Sequence, residues 1–364
     1  MSQQAYLILE NGKVFEGFSV GAMGTVIGET VFTTGMTGYL ETLTDKSYYG
    51  QIITQTFPLI GNYGVISNDF EGQSVKACGY IVKQWCQDPS NFRSEGNLDT
   101  FLKKQGIVGI YGIDTRALTK ILREQGTMNG MITTDAKIAE NARQALSPIV
   151  DYRIIDAVEN VSITEEVVIN PDGKYSVVLL DFGYKANIAR ELIKRDCKVT
   201  ILPALTSAQR IKSLKPDGIM LSNGPGDPAD NPVIIENLKE LITYDIPIFG
   251  ICLGHQLLAL ANGFSREKLK YGHRGANQPA KDLISGRTYI TSQNHGYAVS
   301  MDSIDEKIAQ IWFVNVNDKT CEGIKYNNKP FLSVQFHPES CGGPQDTGYL
   351  FDEFMREVNS YAVK

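Results

Sequence analysis

The chain has 364 residues, 42% of them hydrophobic and 21% charged, with a formal net charge of −6. That length exceeds one ordinary core and favours two domains, and the apolar and charged fractions are those of a globular protein. The acidic balance excludes a general nucleic-acid binder, whose affinity rests on a basic face. No run is long enough to span a bilayer, and the start MSQQAYLILENG lacks the basic opening and longer apolar core of a signal peptide.

The six cysteines (78, 86, 197, 252, 321 and 341) form no CxxC pair or close repeat, so neither a disulfide framework nor a zinc site is signalled. A cytoplasmic protein with no membrane or nucleic-acid partner is expected.

Residues 1–150 are rich in glycine and short β-type runs, such as GETVFTTGMTGYLETLT and YYGQIITQTFPLIGNYG. The clearest helix is DTRALTKILREQG: Asp114 or Thr115 caps it, Leu118, Ile121 and Leu122 form its apolar face, and Gly126 ends it. This part reads as a smaller α+β domain without catalytic spacing. Residues 151–172 lack helical periodicity and run into Pro171-Asp172-Gly173, so a linker is placed there.

From residue 173 onward, apolar strands alternate with amphipathic helices, the pattern of an open, mostly parallel sheet with helices on both faces. YSVVLLDFG, KVTILPA, DGIMLSNG and IPIFGI are the strands; KANIARELIKRDC, SAQRIKSLK and NPVIIENLKELITY are the helices between them. Ligands of such sheets bind at the carboxyl ends of strands. The turn GPGDP and Cys252 both lie at such ends.

GICLG, residues 250–254, has the form G-x-C-x-G, the cysteine counterpart of the strand-to-helix elbow that lifts a nucleophile above a sheet. The following helix places free amides and a positive dipole end beside the sulfur, which favours a thiolate, and the Leu253 amide is placed to donate to an oxyanion. Most free cysteines are only small core residues. Two flanking glycines at a strand-to-helix junction favour the nucleophile.

A nucleophilic thiol needs a base, and the chain has four histidines, at 255, 273, 295 and 337. In SVQFHPES a strand runs into His337, Pro338 biases it towards extended angles, and Glu339 projects to the same side at i+2. That carboxylate would hold the ring as the third member of a triad does. His295, in SQNHGYAV, is the second candidate base. His255 opens the helix beside Cys252 and packs locally; His273 falls in what reads as a polar loop. No two histidines have metal-ligand spacing, so no metal is expected. GPGDP is often only a tight turn, but here Gly226 becomes a candidate second oxyanion donor. No phosphate-binding glycine loop is present, so ATP chemistry would belong to another polypeptide.

LSNGPGDP, GICLGHQ, SQNHGYAV and HPES together resemble the class I glutamine amidotransferases. SNFRSEGNLDTFLKKQGI, GIDTRALTKILREQGT and DFGYKANIARELI are similar, more narrowly, to the small (glutaminase) subunits of carbamoyl phosphate synthetases. The resemblance implies that Cys252 attacks the amide of glutamine, that His337, oriented by Glu339, carries the proton, and that water hydrolyses a glutamyl thioester. It implies glutamine contacts at Ser47, Gly224, Gly226, Leu253, Gln256, Asn294, Gly296 and Tyr297, and a first domain that closes over the substrate. It implies a large-subunit partner that uses ATP, magnesium and bicarbonate to make carbamoyl phosphate for arginine or pyrimidine synthesis, with no cofactor in this chain. Tyr297 stands where phenylalanine is expected, and SCGGPQD replaces a run resembling Ser-Pro-Gly-Pro-His-Asp, which implies a more mobile loop after Glu339. The rival readings are a glutaminase subunit of another amidotransferase, a cysteine peptidase or esterase on the same elbow, and an inactive scaffold.

Overall fold

The computed structural model describes residues 3–363. The chain divides into two compact units, Met1–Ile155 and Asp156–Lys364.

In the first unit the short β runs close into a barrel. Its strands follow the order Gln4–Leu9, Val14–Gly21, Val108–Tyr111, Gly79–Val82, Gln51–Gln55, Thr25–Thr33 and Met128–Thr133, and the last pairs back with the first. Closure leaves no sheet edge to protect. The three consecutive pairings from Val108–Tyr111 to Thr25–Thr33 are parallel and the others antiparallel. Sequence periodicity shows strands but not closure, because each run is short and its partner lies far along the chain. Helix Thr115–Gln125 forms where expected: the Asp114 carboxylate accepts from the Ala117 amide at 2.9 Å, Leu118 and Leu122 are buried, and the Gly126 amide donates to the Leu122 carbonyl.

The second unit is built on one ten-stranded sheet. At its centre Cys197–Pro203, Tyr175–Asp181, Gly218–Leu221, Ile248–Ile251 and Phe331–Val334 run parallel. Successive side chains of these strands alternate between two buried faces. Val178, Leu180, Ile219 and Leu221 pack with Ile234 and Leu238 of helix Pro232–Leu241 and Leu257 of helix Leu253–Ala261. Val177, Leu179, Met220 and Phe249 pack with Ile188 and Leu192 of helix Ala186–Ile193 and Phe351 and Phe354 of helix Tyr349–Ala362. Each such side chain contributes about 1.5–3 kcal/mol when fully buried, and burial on both faces produces the continuous apolar runs seen in the sequence.

Two features depart from the sequence reading. The sheet is parallel only at its centre: Val167–Ile169 joins one side antiparallel, and Cys321–Tyr326, Ala309–Asn315, Arg266–Asp282 and Thr288–Val299 extend the other side as an antiparallel wing. In the wing, bulged pairing and buried polar residues such as Gln293, His295 and Glu322 interrupt the apolar pattern. In addition, residues 156–172 of the expected linker pack into the second unit. Val158 and Val161 are buried, and the Ile163 amide donates to the Asp181 carboxylate at 2.8 Å. Apart from the short strand Val167–Ile169 these contacts are irregular, so no periodicity announces them.

Candidate active site

Strand Ile248–Ile251 delivers the chain to Cys252, whose φ of 53° and ψ of −105° lie outside the regions favoured by residues with a side chain. Such a conformation costs on the order of 1–3 kcal/mol and persists only where its surroundings impose it. Here the Cys252 amide donates to the Val334 carbonyl at 2.9 Å and the Gly254 amide to the Ser222 carbonyl at 3.0 Å. The glycines make this tight joint sterically possible. A Cβ on Gly250 would lie 2.8 Å from the Gly254 carbonyl carbon, and one on Gly254 would lie 2.3 Å from the Leu221 carbonyl oxygen. Helix Leu253–Ala261 starts at once, and the Leu253 amide, as its first residue, has no intrahelical acceptor.

Val334, the register partner of Ile251, ends the neighbouring parallel strand, and three residues later comes His337. Parallel pairing thus brings Cys252 and His337 to the carboxyl ends of adjacent strands. His337 Nδ1 lies 2.7 Å from Glu339 Oε1, and both side chains are buried. Nδ1 faces the carboxylate, and the other ring nitrogen, Nε2, is buried without a hydrogen-bond partner. Burial opposes ionisation of Glu339, but the charge and hydrogen bond of His337, with Lys185 Nζ 3.8 Å away, hold its carboxyl below the usual range. The Asn187 side-chain amide anchors the Glu339 backbone carbonyl at 2.7 Å.

The other expected positions distribute as follows. Gly224 and Gly226 follow strand Gly218–Leu221, and Gly226 has a φ of 88°. Gln256 donates its side-chain amide to the Tyr297 carbonyl at 2.7 Å, and Cys252 Sγ lies 3.6 Å from the Asn294 carbonyl oxygen, so helix and wing meet beside the thiol. Gly296 lies between them on strand Thr288–Val299. Ser47 belongs to the first unit, on the turn Lys46–Tyr48, its amide held by Asp45 at 2.9 Å.

The remaining histidines have other partners. His255 pairs with Ser333 Oγ at 2.8 Å, and burial pushes its imidazole down to about 3. Both nitrogens of His295 face acceptor oxygens, Nδ1 the Tyr297 carbonyl at 2.7 Å and Nε2 Gln293 Oε1 at 3.1 Å, and the single N–H of a neutral ring serves one of them. Burial, and then the charge of His273, hold His295 well below its ordinary value. His273 is not in a polar loop but buried on strand Arg266–Asp282, opposite His295. A register shift between Lys268 and His273 hides that strand from periodicity.

That pairing sets His273 opposite His295, and Glu322 of strand Cys321–Tyr326 joins them within 4.8 Å, a juxtaposition of metal-binding residue types that no spacing along the sequence reveals. Their charges are already answered within the cluster: His273 Nε2 meets Asp318 Oδ2 at 2.7 Å, and its Nδ1 lies 3.3 Å from Glu322 Oε1. Although burial works against it, these carboxylates push the His273 imidazole up to about 9. A proton held there supplies the cationic charge.

Residues 178–357 match the family described as glutamine amidotransferase class-I, which sets the class of the second unit. Residues 7–132 match the carbamoyl-phosphate synthase small chain, CPSase domain. The carbamoyl phosphate synthase small chain of Clostridium perfringens is 50% identical over 353 residues, covering 97% of this chain and 99% of that one. The protein of the same name from Listeria monocytogenes serotype 4b is 49% identical over 354 residues, covering 97% and 96%. That of Oceanobacillus iheyensis is 49% identical over 362 residues, covering 98% and 97%. The chain belongs to the carbamoyl-phosphate synthase small chain family. Among the described residues, no helix is long and apolar enough to cross a membrane.

Proposed function

We propose that this chain hydrolyses glutamine at Cys252 and passes the ammonia to a large synthetase chain that makes carbamoyl phosphate from bicarbonate and ATP. His337 Nε2 takes the thiol proton as sulfur attacks the side-chain carbonyl carbon. The amides of Leu253 and Gly226 receive the developing oxyanion. The tetrahedral species expels ammonia with the proton returned by His337, leaving a glutamyl thioester. Water, deprotonated by the same nitrogen, then releases glutamate and restores the thiol. Glu339 keeps Nδ1 protonated and stabilises the imidazolium. Gly224, Gln256, Asn294, Gly296 and Tyr297 hold the substrate, and Ser47 is assigned to it on its motif alone.

The thiol supplies the nucleophile and the imidazole the proton transfer, so this half-reaction requires no cofactor or metal in the chain. ATP and magnesium serve the partner. Ammonia is a nucleophile only while unprotonated, so its path to that partner must exclude bulk water. Six free cysteines and no disulfide among the described residues suit the cytoplasm.

The observation that carries this reading is the buried His337–Glu339 pair with an unpartnered Nε2, just past the end of the strand beside the strained Cys252 turn. The test is Cys252→Ser in complex with the large chain. Glutamine-dependent synthesis should vanish while synthesis from supplied ammonia persists; glutaminase activity above a trace in this variant would exclude Cys252 as the nucleophile. Peptide cleavage by the isolated chain would instead favour a peptidase.

A further inference from the structure

The ion cluster around His273 is not used by the proposed reaction. It is costly all the same: Glu322 is fully buried, and burial raises its pKa in spite of His273, Asn315 and Gln293. Buried charges of this kind stabilise a fold less than apolar packing of the same volume does. Its connections show where it acts. Glu322 Oε2 accepts from Gln293 Nε2 at 2.9 Å, and Glu322 Oε1 accepts from Asn315 Nδ2 at 3.1 Å. Gln293 Oε1 lies against His295 Nε2, and His295 Nδ1 against the carbonyl of Tyr297. That carbonyl also receives the amide of Gln256, from the helix that begins at the thiol. The stretch between Gln293 and Tyr297 contains Asn294, whose carbonyl lies against Cys252 Sγ, and Gly296. Both ends of the Asn294–Tyr297 stretch are therefore held by side chains tied back to one imidazole between two carboxylates.

We propose that His273, clamped by Asp318 and Glu322, is a positioning residue that sets the Asn294–Tyr297 strand for glutamine binding; this rests on the reading that Cys252 hydrolyses glutamine. The cluster acts on substrate affinity and leaves bond breaking to Cys252 and His337. Removing the cation strands the Glu322 carboxylate in the interior, and the strain falls on Gln293 and His295. Removing both charges relieves it.

The experiment measures steady-state glutamine hydrolysis by the complex with the large chain. His273→Gln should raise KM for glutamine about tenfold while kcat stays within about twofold, and His273→Gln combined with Glu322→Gln should recover most of that loss. Asp318→Asn is the milder variant, because its side chain is 44% exposed and its change does not strand a buried charge. It should raise KM about threefold, and it keeps the test decisive if His273→Gln does not fold. The inference is overturned if Asp318→Asn leaves KM unchanged, if kcat falls while KM holds, or if the double variant is no better than His273→Gln. An unsubstituted complex that releases no ammonia from glutamine would defeat the proposed function first, and this inference with it.

Discussion

On the proposed function, the two halves of the large sheet divide the work. The parallel half supplies Cys252 and His337 at the ends of adjacent strands, held by backbone hydrogen bonds and by packing on both faces. The antiparallel wing supplies Asn294, Gly296 and Tyr297, and it holds them through side-chain contacts around His273 and His295. A reacting pair tolerates little displacement, so it sits where the backbone itself fixes geometry. A binding strand can be set by side chains and adjusted by exchanging them. Changes in the parallel half should therefore strike kcat, and changes in the wing should strike KM.

The strongest way to break that division is to exchange the roles of two histidines. His337→Asn removes the base and should lower kcat by three orders of magnitude or more, since an unassisted thiol is mostly protonated near neutral pH. His295→Asn should raise KM with kcat changed by less than about tenfold, because both ring nitrogens already serve the wing. Glutaminase kinetics on the two variants decides: a lethal kcat effect in His295→Asn would make His295 the base. Glu339→Gln belongs with His337, but it should cost less, because an amide keeps the shape and one hydrogen bond.

Gly226 offers the next largest effect. Its φ of 88° disfavours any side chain, and a Cβ would lie 3.0 Å from the Ala157 Cβ. Gly226→Val should turn its amide away from the oxyanion, removing a donor worth about 3 kcal/mol in the barrier, so kcat should fall about a hundredfold with KM little changed. A folded variant with normal turnover would remove this turn from the oxyanion site.

The same division explains what the sequence could and could not disclose. Central strands such as Tyr175–Asp181 announce themselves because both faces are buried, and the Cys252 elbow follows from glycines two residues to either side. His337 and Glu339 are legible because an extended backbone places i and i+2 together. The wing is silent for the opposite reason. Its pairing is bulged and buried polar residues interrupt its strands, and His273, Asp318 and Glu322 come from two strands and a turn, with no spacing to join them. The nearest available signal was the alternation in GHRGANQPA, too short and too polar to separate from a loop. The first unit is similar: Asp114 capping a helix is a local feature, whereas barrel closure depends on partners over a hundred residues apart.

The smallest expected effect tests the wing by pH alone. The groups facing His273 are the carboxylates of Asp318 and Glu322 and the ring of His295. With its imidazole raised from 6.5 to about 9, His273 contributes fully below its unfolded value, and its contribution is lost as the pH rises through about 9. Affinity for glutamine should therefore weaken between about pH 8 and pH 10, by roughly threefold, equivalent to about 0.7 kcal/mol. The amino group of glutamine titrates at alkaline pH too, and the Cys252 thiol would distort a kinetic measurement. Binding is therefore measured on Cys252→Ser and compared with the same protein also carrying His273→Gln and Glu322→Gln. The substrate's titration is common to both, and only the protein with His273 has a proton to lose from the cluster. A ratio of the two dissociation constants that stays flat from pH 7 to pH 10 would show that the charge on His273 does not reach the binding strand, leaving its grip to packing alone.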